Sequence, residues 1–191
     1  VLYSQFHHLD DVNLLLTALK LMGFHDVFEV GSAAEILSEE TRNYIKRHEG
    51  LWPIINTACP TVLRLIRVRF PNLIEHLLPF HIPAETAARI ARRRAMEQTG
   101  LPSEKIGIVY ISPCPSKVSY VHSPLVMEKS EIDMVLGIKD IYRIILPYLS
   151  EAKKHVENLR TSGYVGMEWG RSGGEAAGLE EDSYIAVDGI R

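Results

Sequence analysis

Twice in this chain a short apolar run gives way to a cysteine held against proline. Asn56-Thr57-Ala58-Cys59-Pro60 ends the run from Trp52, and Ser112-Pro113-Cys114-Pro115-Ser116-Lys117 follows Ile106–Ile111. Each has the form of a buried strand turning into a helix, and Pro60 suits a first helical turn, where its missing N–H costs nothing. In α/β domains ligands collect in the crevice beyond the carboxyl ends of the strands. Two thiols at two such ends can converge on one soft ligand, and thiolates are the usual anchors of iron–sulfur clusters. A plainer account is two separate buried thiols, each behaving as a small hydrophobe. With no CxxC pair present, spacing alone favours the plainer account.

The rest of the chain alternates in the same way. Val1–Phe6 reads as extended. Asp10 and Asp11 can cap a helix carrying Val12, Leu15, Leu16, Leu19 and Met22 on one face, closed by Gly23. Asp26–Val30 is a short strand, Ser38–Arg47 a polar helix with Tyr44 and Ile45 inward, and Trp52–Asn56 a buried strand. A helix from Pro60 runs to about Phe70, and Pro71 starts another through Leu78. Glu85–Thr99 is helical and ends at Gly100. Ile106–Ile111 and Ile132–Leu136 are further strands. Lys139–Leu149 is a helix that Pro147 should kink or shorten, with Glu151–Leu159 as a continuation. Gly163–Gly178 is a glycine-rich loop or helix-approach segment, and Tyr184–Val187 is a final strand. Strands alternating with helices give an α/β fold, a mostly parallel sheet with helices on both faces.

At 191 residues, 46% hydrophobic and 24% charged, the chain can bury a substantial core. A net charge of −3 supplies no general attraction to nucleic acid or anionic lipid, so neither is expected as a partner. No apolar run reaches the ~18 residues of a membrane helix. Two cysteines are too few for a disulfide scaffold, which favours a reducing, cytoplasmic setting. The chain opens on Val1 and stops at Arg191 just after a strand-like run, and reads as an internal piece of a longer protein.

Other motifs carry less. Gly170-Arg171-Ser172-Gly173-Gly174 lacks the Gly-Lys-Ser/Thr ending of a phosphate loop and fits a sharp turn or close helix packing. Arg89, Arg92, Arg93 and Arg94 fit a solvated helix face. The histidines His7, His8, His25, His48, His76, His81, His122 and His155 show no zinc spacing, and are expected at the surface or core edge. Ser4, Ser112 and Ser116 lack a hydrolase nucleophile elbow.

Compared segment by segment, however, the two cysteine motifs belong to a longer pattern. Thr57-Ala58-Cys59-Pro60, followed by a helix and Phe70-Pro71, resembles the Thr-Ser-Cys-Cys-Pro-Gly-Trp motif of iron-only (FeFe) hydrogenases, which precedes a helix ending in Tyr-Pro. Ser112-Pro113-Cys114-Pro115-Ser116-Lys117 resembles that family's Met-Pro-Cys-x-x-Lys. Ala18–Phe28 is similar to its Ala-Leu-Arg-x-Leu-Gly-Phe-Asp-x-Val-Phe, and Glu131–Leu136 to its Asp-Ile-Asp-x-Val-Leu strand. The resemblance runs in order along nearly the whole chain.

It implies a partial H-cluster domain, with one lobe over roughly residues 1–110 and part of a second over 111–191. In the full-length protein the cofactor would be a 4Fe–4S cluster joined to a di-iron centre. Cys59 and Cys114 would be two of its four cysteine ligands, and Lys117 would contact a cyanide of the di-iron unit. The other two ligands lie in a Cys-x-Gly-Gly-Cys-like motif absent from this sequence, so this piece alone is expected to bind no cluster. The implied partners are the rest of the parent chain, with that motif and ferredoxin-like segments, and an electron-transfer or signalling protein.

Three positions depart from the catalytic pattern. Ala58 stands where catalytic members carry the proton-relaying cysteine, and a methyl group cannot move a proton. Ile82-Pro83-Ala84-Glu85 replaces Ser-Pro-Gln-Gln, and Ser112 replaces the methionine before Pro113. Ala84, Ser112 and Pro113 would border the cofactor, so these changes would tune it. Together they resemble the divergent, sensory branch of the family. Redox or hydrogen sensing is therefore expected ahead of a working oxidoreductase that interconverts protons, electrons and dihydrogen. The third reading is a cluster-free α/β interaction domain.

Overall fold

The structure is a computed structural model and describes residues 3–6, 9–48, 50, 52–179 and 183–187. Its regular elements are α1 (Val12–Leu21), α2 (Val30–Arg47), α3 (Pro60–Arg69), α4 (Pro83–Thr99), β1 (Val109–Ser112) and α5 (Pro115–His122). β2 (Met134–Gly137), α6 (Ile138–Ala152), α7 (Tyr164–Glu168) and α8 (Gly174–Ala177) follow. Short 3₁₀ turns occupy Tyr3–Gln5, Pro71–His76 and Ser103–Lys105. His7 and His8 lie outside the described residues, as does the side chain of Ser4.

β1 and β2 pair in parallel, with Tyr110 opposite Val135 and Ile111 opposite Leu136. Successive strand residues face opposite sides, and the packing follows that period. Tyr110 and Val135 meet a cluster of Ile82, Ala84 and Ala88 at α4, Tyr120 of α5, and Ile132. Ile111 and Leu136 meet the other cluster, built from Leu15, Ala18 and Leu19 of α1 and Ile141, Ile145 and Ala152 of α6. The fold is α/β, a small parallel sheet with helices on both faces.

The helix ends follow sequence chemistry. Asp11 caps α1, its carboxylate accepting from the Asn13 N–H at 2.9 Å. Gly100 ends α4 in the left-handed region at φ 69°, which a residue without a Cβ adopts freely. α6 runs straight through Pro147 to Ala152. Pro147 and Arg143 both lie on its exposed side, so the carbonyl that the proline leaves unbonded is open to water. Beyond His155 the chain is irregular up to α7 and does not extend the helix.

Three expected strands do not form, each because its backbone has no ladder to join. At Asp26–Val30, Glu29 is already the cap residue of α2 and its carbonyl accepts from the Ser32 N–H. At Trp52–Asn56, Pro53 has no N–H to donate, and pairing shrinks to one parallel bridge between Ile55 and Leu77. Tyr184–Val187 is irregular, with Ile185 90% exposed. Val1–Phe6 was expected to be extended as well, and its described part holds a 3₁₀ turn.

Candidate functional site

Cys59 and Cys114 are the cap residues of α3 and α5, and their backbones are nearly superimposable in conformation. Cys59 has φ −98° and ψ 109°, Cys114 φ −103° and ψ 114°, and proline opens the helix in both. In both, the cysteine stands just ahead of the proline, so each sulfur lies at the start of its helix. Both sit at the positive end of a helix dipole. α3 and α5 pack against each other, so the two junctions belong to adjoining elements.

A cavity of about 630 Å³ opens between β1, α4 and the segment leading into α2, and Ala84, Ser112, Pro113, Cys114 and Lys117 all line it. Ser112 is buried, and its hydroxyl accepts from the Cys114 N–H at 3.2 Å. The Cys114 sulfur lies 3.1 Å from the Ser116 hydroxyl. Partial burial works to raise the Cys114 pKa. The Ser116 hydroxyl, the Lys117 N–H and the Lys117 charge outweigh it and hold the thiol below its ordinary value. The thiolate form of Cys114 is therefore easier to reach than that of an ordinary cysteine.

Cys59 is exposed and lies outside the lining of that cavity. Ala58 lines a second, smaller pocket of about 20 Å³, with Thr57, His81 and Glu175. The two pockets share Pro83 and Trp169 as common walls. Five of the seven expected site residues thus meet in one cavity, Ala58 sits beside it, and Cys59 stands apart. Among the described residues no group of three or more His, Cys, Asp or Glu side chains is placed to hold a metal ion.

Several polar residues that matter here gave no sequence signal. Burial pushes the Glu175 carboxyl up to about 7, although the Lys117 charge pulls the other way. Glu85 is buried and accepts from the Ser130 hydroxyl at 2.5 Å and the Glu131 N–H at 2.8 Å, fixing the approach to β2. Arg92 departs from the solvated face expected of its cluster. It donates to the carbonyls of Ser103 and Ile106, to the Glu131 carbonyl at 2.9 Å, and to the Asp133 carboxylate at 2.7 Å. Nothing in the residue types marks these partners, which lie far apart in sequence.

The family described as iron only hydrogenase large subunit, C-terminal domain, matches residues 4–180. This chain belongs to that family. Iron hydrogenase 1 of Clostridium pasteurianum is 25% identical over 150 residues, covering 75% of this chain and 26% of that protein. The NADP-reducing hydrogenase subunit HndD of Solidesulfovibrio fructosivorans is 22% identical over 142 residues, covering 69% and 24%. An apo FeFe-hydrogenase of Chlamydomonas reinhardtii superposes with TM-score 0.59 at 19% identity, over 80% of this chain and 39% of that one. The FeFe-hydrogenase HydA(deltaEFG), whose structure concerns stepwise H-cluster assembly, gives 0.59 at 20% identity, over 81% and 39%. The structural likeness shows the fold, and the chain spans about a quarter of the length of the curated relatives it matches. Among the described residues no helix is long and apolar enough to cross a membrane.

Proposed function

We propose that this chain is part of an H-cluster-binding domain whose role in the longer protein is redox or hydrogen sensing. The observation that carries the reading is Cys114, a thiol with a lowered pKa at a helix start, opening with the Lys117 cation onto a cavity of about 630 Å³. That donor chemistry fits an iron–sulfur ligand. Cys59, in the same backbone conformation at the start of the adjoining helix, supports its role as a second anchor. When bound, the cluster would supply the electrons and the metal site at which dihydrogen is made or split.

The chain's own contributions are separable. Cys114 and Cys59 would hold iron. Ser112 fixes the Cys114 backbone through its hydroxyl. Lys117 places a positive charge where an anionic ligand would sit, a strong interaction in a partly buried site. Ala84 and Ala58 offer only methyl groups where the catalytic pattern has a polar side chain and a thiol, which favours sensing over rapid turnover. The remaining two cysteines have no counterpart in this sequence, so the parent chain would complete the ligand set.

The test is to mature the parent protein and measure iron per chain, the infrared bands of the di-iron unit, and dihydrogen evolution. Cluster-bearing protein with turnover at least ~10²-fold below that of catalytic relatives is expected. Cys114→Ser should lose the cluster. Turnover equal to that of catalytic relatives would overturn the sensory role, and iron retained in full by Cys114→Ser would overturn the ligand assignment.

A further inference from the structure

Behind the Ala58 methyl lies the small pocket of about 20 Å³. A buried water needs roughly 10–15 Å³ and two to four polar partners, so the pocket holds about one. Ser38 and His81 both line it, and each carries a buried polar atom, Ser38 Oγ and His81 Nδ1, with no hydrogen-bond partner among the described residues. Ser38 is only 3% exposed. A buried polar atom left unpaired is costly, and two of them around one small void point to a bound molecule that satisfies both. Glu175 also lines the pocket, and it feels the charge of Lys117, which lines the large cavity. A carboxyl on the small pocket is therefore within electrostatic reach of the cation on the large one.

We propose that this pocket is a hydrated acid–base site: one ordered water, held by Ser38, His81 and Glu175, passes protons between His81 and Glu175 beside Lys117. It rests on the reading above only for its destination, since the water and the carboxyl belong to this chain whether or not a cluster is present. The transfer balances. His81 gives a proton to the water, the water gives one to the Glu175 carboxylate, and the carboxyl gives it to an acceptor on the Lys117 side. His81, which is half-buried, then takes up a proton from solvent, so that each carrier returns to its starting charge. Lys117 stabilises the carboxylate after release, as a fixed cation should. The site would do by carboxyl and water what the relay position at Ala58 cannot do by thiol.

The groups facing Glu175 define its titration. Lys117 of α5 acts on it electrostatically, and His81 ahead of α4 shares its pocket. Glu168 and Arg171, at the α7 end, are paired with each other. Ser38 and Thr41 of α2 carry no charge. Burial holds the carboxyl near neutrality, where a proton carrier works best.

The deciding measurement is an infrared pH titration of the metal-free, 191-residue chain, following the C=O stretch of protonated carboxyls. One carboxyl titrating within about a unit of pH 7 is expected, absent from Glu175→Gln and retained in Glu175→Asp. His81→Phe and Ser38→Ala, which remove the water's other partners, should each shift its frequency or midpoint. No carboxyl titrating near neutrality, or one that both variants leave unmoved, overturns the site. In the matured parent, Glu175→Gln should slow dihydrogen turnover at least ~10-fold at equal cluster content, with Glu175→Asp restoring part of it. Undiminished turnover in Glu175→Gln overturns the relay. A parent that takes up no cluster would instead overturn the proposed function, and the metal-free titration still decides the site.

Discussion

The Cys114 sulfur lies 3.1 Å from the Ser116 hydroxyl, two residues on in the first turn of α5. The contact ties the ligand chemistry to the helix start. Proline at position 115 opens the helix, and Ser116 and Lys117 then present a hydroxyl, N–H groups and a charge to one thiol.

Removing that hydroxyl should raise the thiol pKa. In a Cys59→Ser background, Cys114 is expected to alkylate with a pH midpoint below the ~8.5 of a free cysteine. Ser116→Ala should move the midpoint up by about a unit, since a hydrogen bond to a charged group contributes ~1.5–3 kcal/mol. Lys117→Met should move it in the same direction. A midpoint unchanged in both variants would show that the helix start alone sets the thiol.

Close approach of α2 and α7 supplies a second prediction. A Cβ on Gly166 would overlap the Gly31 carbonyl, and one on Gly31 would lie 3.0 Å from the Gly166 oxygen. The Gly166 N–H also donates to the Glu35 carboxylate at 2.9 Å. Backbone obstructs in both directions, so neither can give cheaply. Gly166→Ala should cost about 1–3 kcal/mol in urea unfolding, whereas Gly107→Ala, with open space around its Cβ position, should be near neutral. Trp169, three residues beyond Gly166, walls both pockets, so its fluorescence should report the displacement in the folded state.

What the sequence made legible was local. Asp11, Gly100 and the two Cys-Pro junctions act within a turn of their own position, and each does what its residue type allows. The clustering of Ala84, Ser112, Cys114 and Lys117 followed from whole motifs in order. The missing strands show the limit: apolar β-branched composition gave Asp26–Val30 and Tyr184–Val187 the look of strands, but strands need a neighbour, and sequence does not state where it lies. Arg92, Glu29 and Glu175 were illegible for the same reason. Glu29 takes its partners from Tyr3 and from Thr161 and Ser162, 132 and 133 residues away.

Arg92 offers a test of one such long-range clamp. Its side chain is 13% exposed and joins α4 to the turn at Ser103–Lys105 and to the chain entering β2. The Asp133 carboxylate it holds also accepts from the Ile108 N–H at 2.8 Å, just ahead of β1. Arg92→Ala would leave carbonyls and a carboxylate short of donors on both sides of the strand pair. A loss of about 3 kcal/mol is expected, with faster hydrogen exchange at the amides of β1 and β2. Arg92→Lys should recover less than half, because one ammonium cannot span acceptors that the planar guanidinium reaches. A loss below about 0.5 kcal/mol, the range of an ordinary surface substitution, would show the clamp to be incidental.

Two carboxyls should shape the pH dependence of stability in opposite senses. Glu29 is 5% exposed and accepts from the Tyr3 hydroxyl at 2.7 Å, the Ser162 N–H at 2.8 Å, the Ser162 hydroxyl at 2.7 Å, and the Thr161 N–H. Burial works against its charge, and these bonds prevail and hold its pKa below the ordinary 4.5. Its contribution is therefore present above pH 4.5 and lost as pH falls through the lowered folded value. Glu175 runs the other way. With a folded pKa of about 7 against 4.5, its contribution is complete below 4.5 and lost as pH rises towards 7. Urea midpoints measured across acid and neutral pH should show both limbs. Glu29→Gln should flatten the limb below 4.5 and cost about 2–4 kcal/mol at neutrality, since an amide offers one acceptor oxygen to several donors. Glu175→Gln should flatten the limb between 4.5 and 7 and leave the acid limb intact. If one variant flattened both limbs, the two carboxyls would not be independent, and opposite burial and bonding could not be the cause.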